Sequence, residues 1–429
     1  MSAQPFTAEF AEGLAGPEWL RARRAARAAL AAGVEMPTVG AEEWRYSRIG
    51  DFPAADFTTV ATGAPAAGAL PAPVAAVLAG LGDHCGHIVT VDGVVAAHMG
   101  CADAAAAGVT FAPAADGELL AIVMAEAHDA FAAWNDALTV APIVLDVPAG
   151  VELTAPFVVV HHLGTDGAAS FPRLVVRAGA NSSFSVVEVH VSDDVRALSA
   201  PVTELAVGPA ARVRHTVVQD LGPRVWQVGS MLADVGQEAT WSSAVAALGG
   251  EYARMRVDCR LVGRGSTGNV ASAYLGSRSQ MIDLRTYQEH LGADTTSDLY
   301  FKGAVGERSH SVYTGLIRIR PGARGANAVQ ANRVIKLSDD AWAESVPNLE
   351  IENNDVRCAH ASTVGPVDPD QRFYLESRGV PPKAADRLIV GGFFDDALDH
   401  FPVPEAVTLV RDRLDAVLDR EVAPLGSAR

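Results

Sequence analysis

Hydrophobic and polar positions change their rhythm twice along the chain. From Trp19 to Ala32, behind Pro17, arginine, alanine and leucine follow one another without a β-branched run, and these strong helix formers predict a helical N-terminal region that Gly33 stops. The segment EEWRYS (42–47) leads into an Ala-, Pro- and Gly-rich stretch from Ala61 to Pro73 that reads as a linker. Residues 1–84 therefore form an N-terminal helical region and linker. Residues 85–146 mix short strands such as HIVTVDG with one helix, expected from Gly117 to Ala137 on the apolar positions Leu119, Ile122, Val123 and Ala130.

From Val147 helical periodicity gives way to short β-branched runs alternating with glycine turns. Gly150, Gly179, Gly208, Gly236, Gly263, Gly292 and Gly322 follow at spacings of 29, 29, 28, 27, 29 and 30. A period of this size marks a repeat architecture: propeller blades need about 40 residues, whereas 28 or 29 fits one coil of a β-solenoid. A β-sandwich with evenly spaced hairpins would carry NG and DG turns, which are scarce here. The repeat glycines are expected at coil corners with positive φ. The fold class is thus mainly β, a solenoid core over 147–356 between helical ends.

Residues 357–429 read as a helical domain. Asp368 and Pro369 start a helix that Gly379 ends, a second runs from Pro382 to about Val390, and a third begins after Pro404. The third carries Val407, Val410, Leu414, Val417 and Leu418 on one stripe, a candidate partner-docking surface in competition with packing on its own domain.

The 34 basic and 51 acidic residues leave a net charge of −17, which repels phosphate backbones and disfavours nucleic acid. No apolar stretch approaches the roughly twenty residues needed to span a bilayer. Glu9, Glu12 and Glu18 interrupt any secretory leader, and the four cysteines are too dispersed for a disulfide framework, so a cytoplasmic protein is expected. GRGSTG (263–268) has the GxGxxG spacing, but the following NVASAYLG reads as strand, and no phosphate loop occurs that would support ATP hydrolysis. His84, Cys85 and His87 lack a fourth ligand nearby, and His161 and His162 point to opposite faces of one strand. Cys358 and His360 are different: two apart in the extended DVRCAHAST, they share a face and offer a thiolate and an imidazole, both suited to iron, yet two ligands do not close a site.

Thr296, Ser297, Lys302, Tyr313 to Gly315, SVPNLEIENNDVRCAHASTVGPVDPDQRFYLESRGV, LIVGGFF and the distant EEWRYS together resemble the SufB/SufD family of iron–sulfur cluster assembly scaffolds. Leu375, where SufB carries cysteine, makes the resemblance SufD-like. It implies a right-handed parallel β-helix that pairs with a SufB-like paralogue, a homodimer when that paralogue is absent, and a C-terminal domain that docks a SufC-like ATPase. It also implies a transient iron–sulfur cluster in the assembled complex, none in the isolated chain, with His360 and Cys358 as its candidate ligands, in a subunit that is not itself an enzyme. Ala359, Ala361 and Ser362 beside the histidine, and Asn353 and Asn354 before it, depart from the family pattern but leave both ligands in place. Polysaccharide lyases and hydrolases also use β-helices, with paired carboxylates that are missing here. A purely structural solenoid would make Cys358 and His360 dispensable.

Overall fold

A computed structural model of the chain describes residues 6–57 and 70–421. The protein is mainly β, a solenoid of about eight coils with helices at both ends. Successive strands fall alternately into a ten-stranded and an eleven-stranded sheet, and along the core each strand pairs in parallel with the one a coil away. Alternate residues face the lumen. Phe157, Val186, Val213, Trp241, Val270, Leu299 and Tyr313 fill it with apolar side chains.

The outward residues are buried as well, which is why many strands read as unbroken apolar runs such as FVVV (157–160). The helices Ala72–Leu81, Pro382–Leu398 and Pro404–Glu421 cover Val158, Val160, Val187, Val189 and Ala273 on the ten-stranded sheet. Helices Ala8–Glu12, Glu18–Ala31 and Ala130–Leu138, with Trp44, cover Trp226, Tyr252, Met281 and Val312 on the other.

Several expectations change. The repeat glycines are not the left-handed corner residues: among them only Gly150 has positive φ, and that conformation falls instead on Asn181, Ala210, Glu238, Gly265 and Asp294, each two positions later. The N–H of each of these five donates to a carbonyl of the next coil. Glycine is required for close stacking: a Cβ on Gly263 would lie 2.0 Å from the backbone nitrogen of Gln237. Gly263→Ala is therefore expected to lower stability by about 3 kcal/mol or more, measurable as a shifted denaturant midpoint, because the clash is with backbone that cannot rotate away.

The helix expected from Gly117 begins only at Ala130. Residues before it are held as loop, with Glu204 on the solenoid accepting the N–H groups of Ala121, Val123 and Met124, and Ala121 at φ +64°. Strands Gly86–Val91 and Ile143–Val147 extend the two sheets, so residues 85–146 cap the solenoid rather than form a separate unit. At the far end the core does not stop at 356, since Arg357–Pro366 adds another parallel strand. The second C-terminal helix runs on to Leu398. Most of the Ala61–Pro73 linker lies outside the described residues. Its end starts a helix missed by the sequence reading, Ala72–Leu81, with Val74, Val77 and Leu81 buried.

EEWRYS acts as a strap. Arg254 donates to the Glu43 carbonyl and sits 3.8 Å above the Trp44 ring, while Arg285 donates to the Arg45 carbonyl, and Asp283 between the two arginines pairs with both.

Candidate functional site

Strands Trp342–Ile351 and Arg357–Pro366 are the last of their sheets, and among the described residues each leaves one edge unpaired. The solenoid therefore presents two neighbouring rows of free backbone donors and acceptors.

On the second of these strands the side chains of Cys358, His360, Ser362 and Val364 stack in register on Ala328, Gln330, Asn332 and Val334, all four buried in the lumen. The inward column that is covered everywhere else comes to the surface here because no further coil lies on top. Cys358 and His360 do share a face, as their spacing requires. His360 is exposed, while Cys358 is half-buried against the small cluster of Ile317, Ile319 and Ala328, and this burial pushes its thiol up. That favours thiol over thiolate.

The floor beneath them is polar and close-packed. Gln330 lies across Gly315, where a Cβ would meet its amide at 2.5 Å, so the glycine of the Tyr313–Gly315 motif makes room for the side chain under His360. The Oε1 of Gln330 is buried and has no hydrogen-bond partner among the described residues. Next to it Tyr274 donates to Asn332 at 3.0 Å, and Asn332 donates at 2.9 Å to Ser345 on the edge strand Trp342–Ile351, which ties that edge to the strand beneath His360. Among the described residues no group of three histidine, cysteine or acidic side chains is placed to hold a metal ion.

The remaining motif residues have structural roles. Ser297 shares a hydrogen bond with His290, whose imidazole burial drives down to about 4. Lys302 pairs with Asp396 and lies 4.4 Å from the centre of the Phe393 ring, fastening the helix Pro382–Leu398 to the sheet. His161 points inward, with Glu188 3.6 Å away, and His162 outward beside Asp193, as expected of neighbours on one strand. His84 and His87 bond to each other at 2.9 Å. A strand follows GRGSTG, not a helix.

The expected docking stripe is covered within the chain. Val410, Leu414 and Val417 are buried and Val407 is partly buried, all packed with Val74, Val77 and the outer sheet face, because the covered sheet needs an apolar lid and this helix supplies it. Among the described residues of the C-terminal helices, the large apolar side chains left in solvent are Phe373, Tyr374 and Leu388, on the two preceding helices. Leu388 also lines a hollow of about 520 Å³ between the last strand and these helices, with Arg333, Thr363, Gln371 and Phe393. Among the described residues no helix is long and apolar enough to cross a membrane.

Residues 161–393 match the family model described as SUF system FeS cluster assembly, SufBD core domain. The chain is 32% identical to a SufBD family iron–sulfur cluster assembly protein of Mycobacterium tuberculosis, over 69% of this chain and 74% of that one. It is 28% identical to the iron–sulfur cluster assembly protein SufD of Bacillus subtilis, over 65% and 63%.

Proposed function

The chain belongs to the SufBD family of the SUF iron–sulfur cluster assembly system, and on that premise we propose that it is the SufD-type scaffold subunit of an assembly complex. The observation that carries this reading is the coincidence of the two open sheet edges with the inward column ending in Cys358 and His360. A second solenoid, from a SufB-like paralogue, continues both sheets by strand addition, and a homodimer uses the same edges when that paralogue is absent. Pairing then encloses His360 between two chains. The nascent cluster is cargo, and one neutral imidazole from this side with ligands from the other holds it loosely enough to leave. Energy comes from a SufC-type ATPase on the C-terminal helices, since this scaffold performs no hydrolysis of its own.

His360→Ala in the complete complex is expected to preserve subunit pairing, because the edge is backbone, and to lower the iron and sulfide recovered with the complex severalfold. His360→Cys restores part of it. A His360→Ala complex with full iron and sulfide content would falsify the ligand role and favour the purely structural solenoid.

A further inference from the structure

Far from that edge, four polar side chains meet inside the first coils. Strand Phe157–Leu163 sends in His161, Ser183–Ser192 sends in Glu188 and His190, and Arg212–Asp220 sends in His215. None is more than 4% exposed. The Nε2 atoms of the three imidazoles stand 3.6, 3.1 and 3.6 Å from the Glu188 carboxylate oxygens, for His161, His190 and His215 respectively, and the His161 and His190 rings stack at 5.0 Å. Thr203, from the opposite sheet, donates to Oε2 at 2.8 Å, and Thr90 hydrogen-bonds His161 Nδ1 at 2.8 Å. Among the described residues these three histidines are the ion-pair partners of Glu188. Among the described residues the His161 Nε2 and both ring nitrogens of His215 find no hydrogen-bond partner.

A carboxylate in this setting demands a counter-charge, because an ion taken out of water unpaired costs far more than a hydrogen bond returns. Burial favours the neutral acid, but the imidazoles outweigh it and hold Glu188 well below the usual carboxylate range. We propose that Glu188 and the three histidines form an interior proton site, in which the carboxylate stays ionised and the imidazoles together hold one compensating proton. The orphaned nitrogens give that proton more than one place to sit, so the cluster titrates as a unit. It ties three successive coils together and depends on no part of the family reading.

The pH consequences have a definite sign. Burial lowers His161, so this ring is disfavoured as the seat of the charge in the folded chain and takes up a proton when the chain opens, and its contribution to stability drains as the pH falls below about 6.5. The Glu188 contribution is complete above about 4.3 and is lost in stronger acid, as the pH passes through its lowered folded value.

The test compares the full chain with Glu188→Gln by amide hydrogen exchange of residues 157–163, 183–192 and 212–220 between pH 7.5 and 5.5, expressed as protection factors. The variant loses the carboxylate and with it the bound proton. Its protection is expected to fall more steeply than that of the wild type by one proton, tenfold per pH unit and about a hundredfold over the interval, while residues 267–276 respond equally in both. Equal slopes in the three strands would overturn the proposal. Histidine-selective NMR of the wild-type chain at pH 8 gives an independent count should the variant not fold: one charged ring among the twelve is expected, and none overturns it. Stoichiometric Zn²⁺ or Fe²⁺ binding that disappears in His215→Gln would also overturn it, in favour of a metal site.

Discussion

The double variant Phe373→Asp, Leu388→Asp is expected to fold like the wild type and to lose capture of a SufC-type ATPase, with affinity down a hundredfold or more. Phe373 is 71% exposed and Leu388 58%, so carboxylates at these positions remain in water and cost the isolated chain little. At an interface they would have to be desolvated against an apolar partner surface, where loss of even one or two aromatic or aliphatic anchors removes several kcal/mol. The matching variant on the last helix, Val410→Asp with Leu414→Asp, has the opposite signature: these side chains are 0% and 2% exposed, and charges there should strip the helical lid from the sheet and lower the melting temperature sharply. Pull-down of the ATPase together with thermal melts separates the two. If the Phe373, Leu388 variant keeps full ATPase capture with an unchanged melt, docking through this surface is wrong.

The contrast between those helices shows where the sequence was informative and where it was silent. An amphipathic stripe such as Val407 to Leu418 says that a helix covers something, and the same pattern serves a partner or the helix's own domain. Only the three-dimensional count of sheet surface needing cover decides, and here the outer rows of Val158, Val187 and Ala273 require it. The glycine period was legible because stacking leaves no room for a Cβ at Gly179, Gly208, Gly236, Gly263 and Gly292. The reason for it was not, because clash and positive φ select the same residue from a one-dimensional view.

Cys358 and His360 were readable since a two-residue spacing on a strand fixes their common face. The polar floor was not, since Gln330, Asn332, Gly315 and Ser345 come from three other strands. The inward cluster around Glu188 left a faint trace, as His161 and His190 are one coil of 29 residues apart and pair in register. That spacing matches the glycine period and would have paired them. His215 pairs with Val186 rather than with either histidine, so no period reveals it.

Asp283→Asn is the substitution expected to cost most, about 3–5 kcal/mol, although it changes a single oxygen to nitrogen. The carboxylate is fully buried between Arg254 at 2.7 Å and Arg285 at 2.5 Å, and Tyr252 donates to it at 2.7 Å. Burial opposes its charge, but the two arginines prevail and hold its carboxyl below the usual range, so its contribution is present above about pH 4 and is lost as the pH falls further. The amide cannot carry that charge. Two buried guanidiniums are then left without an anion, and they are the groups that hold the carbonyls of Glu43 and Arg45. Loss of stability should therefore be accompanied by release of the 42–47 strap, seen as a lower denaturant midpoint and new proteolytic cleavage beside Trp44. Replacing all three charges by apolar residues of similar size is expected to recover much of the stability, since no unpaired ion remains, and still to leave the strap loose, since its carbonyls have lost their donors. An Asp283→Asn chain with wild-type midpoint and cleavage pattern would sink the assignment of this cluster as the anchor of the strap.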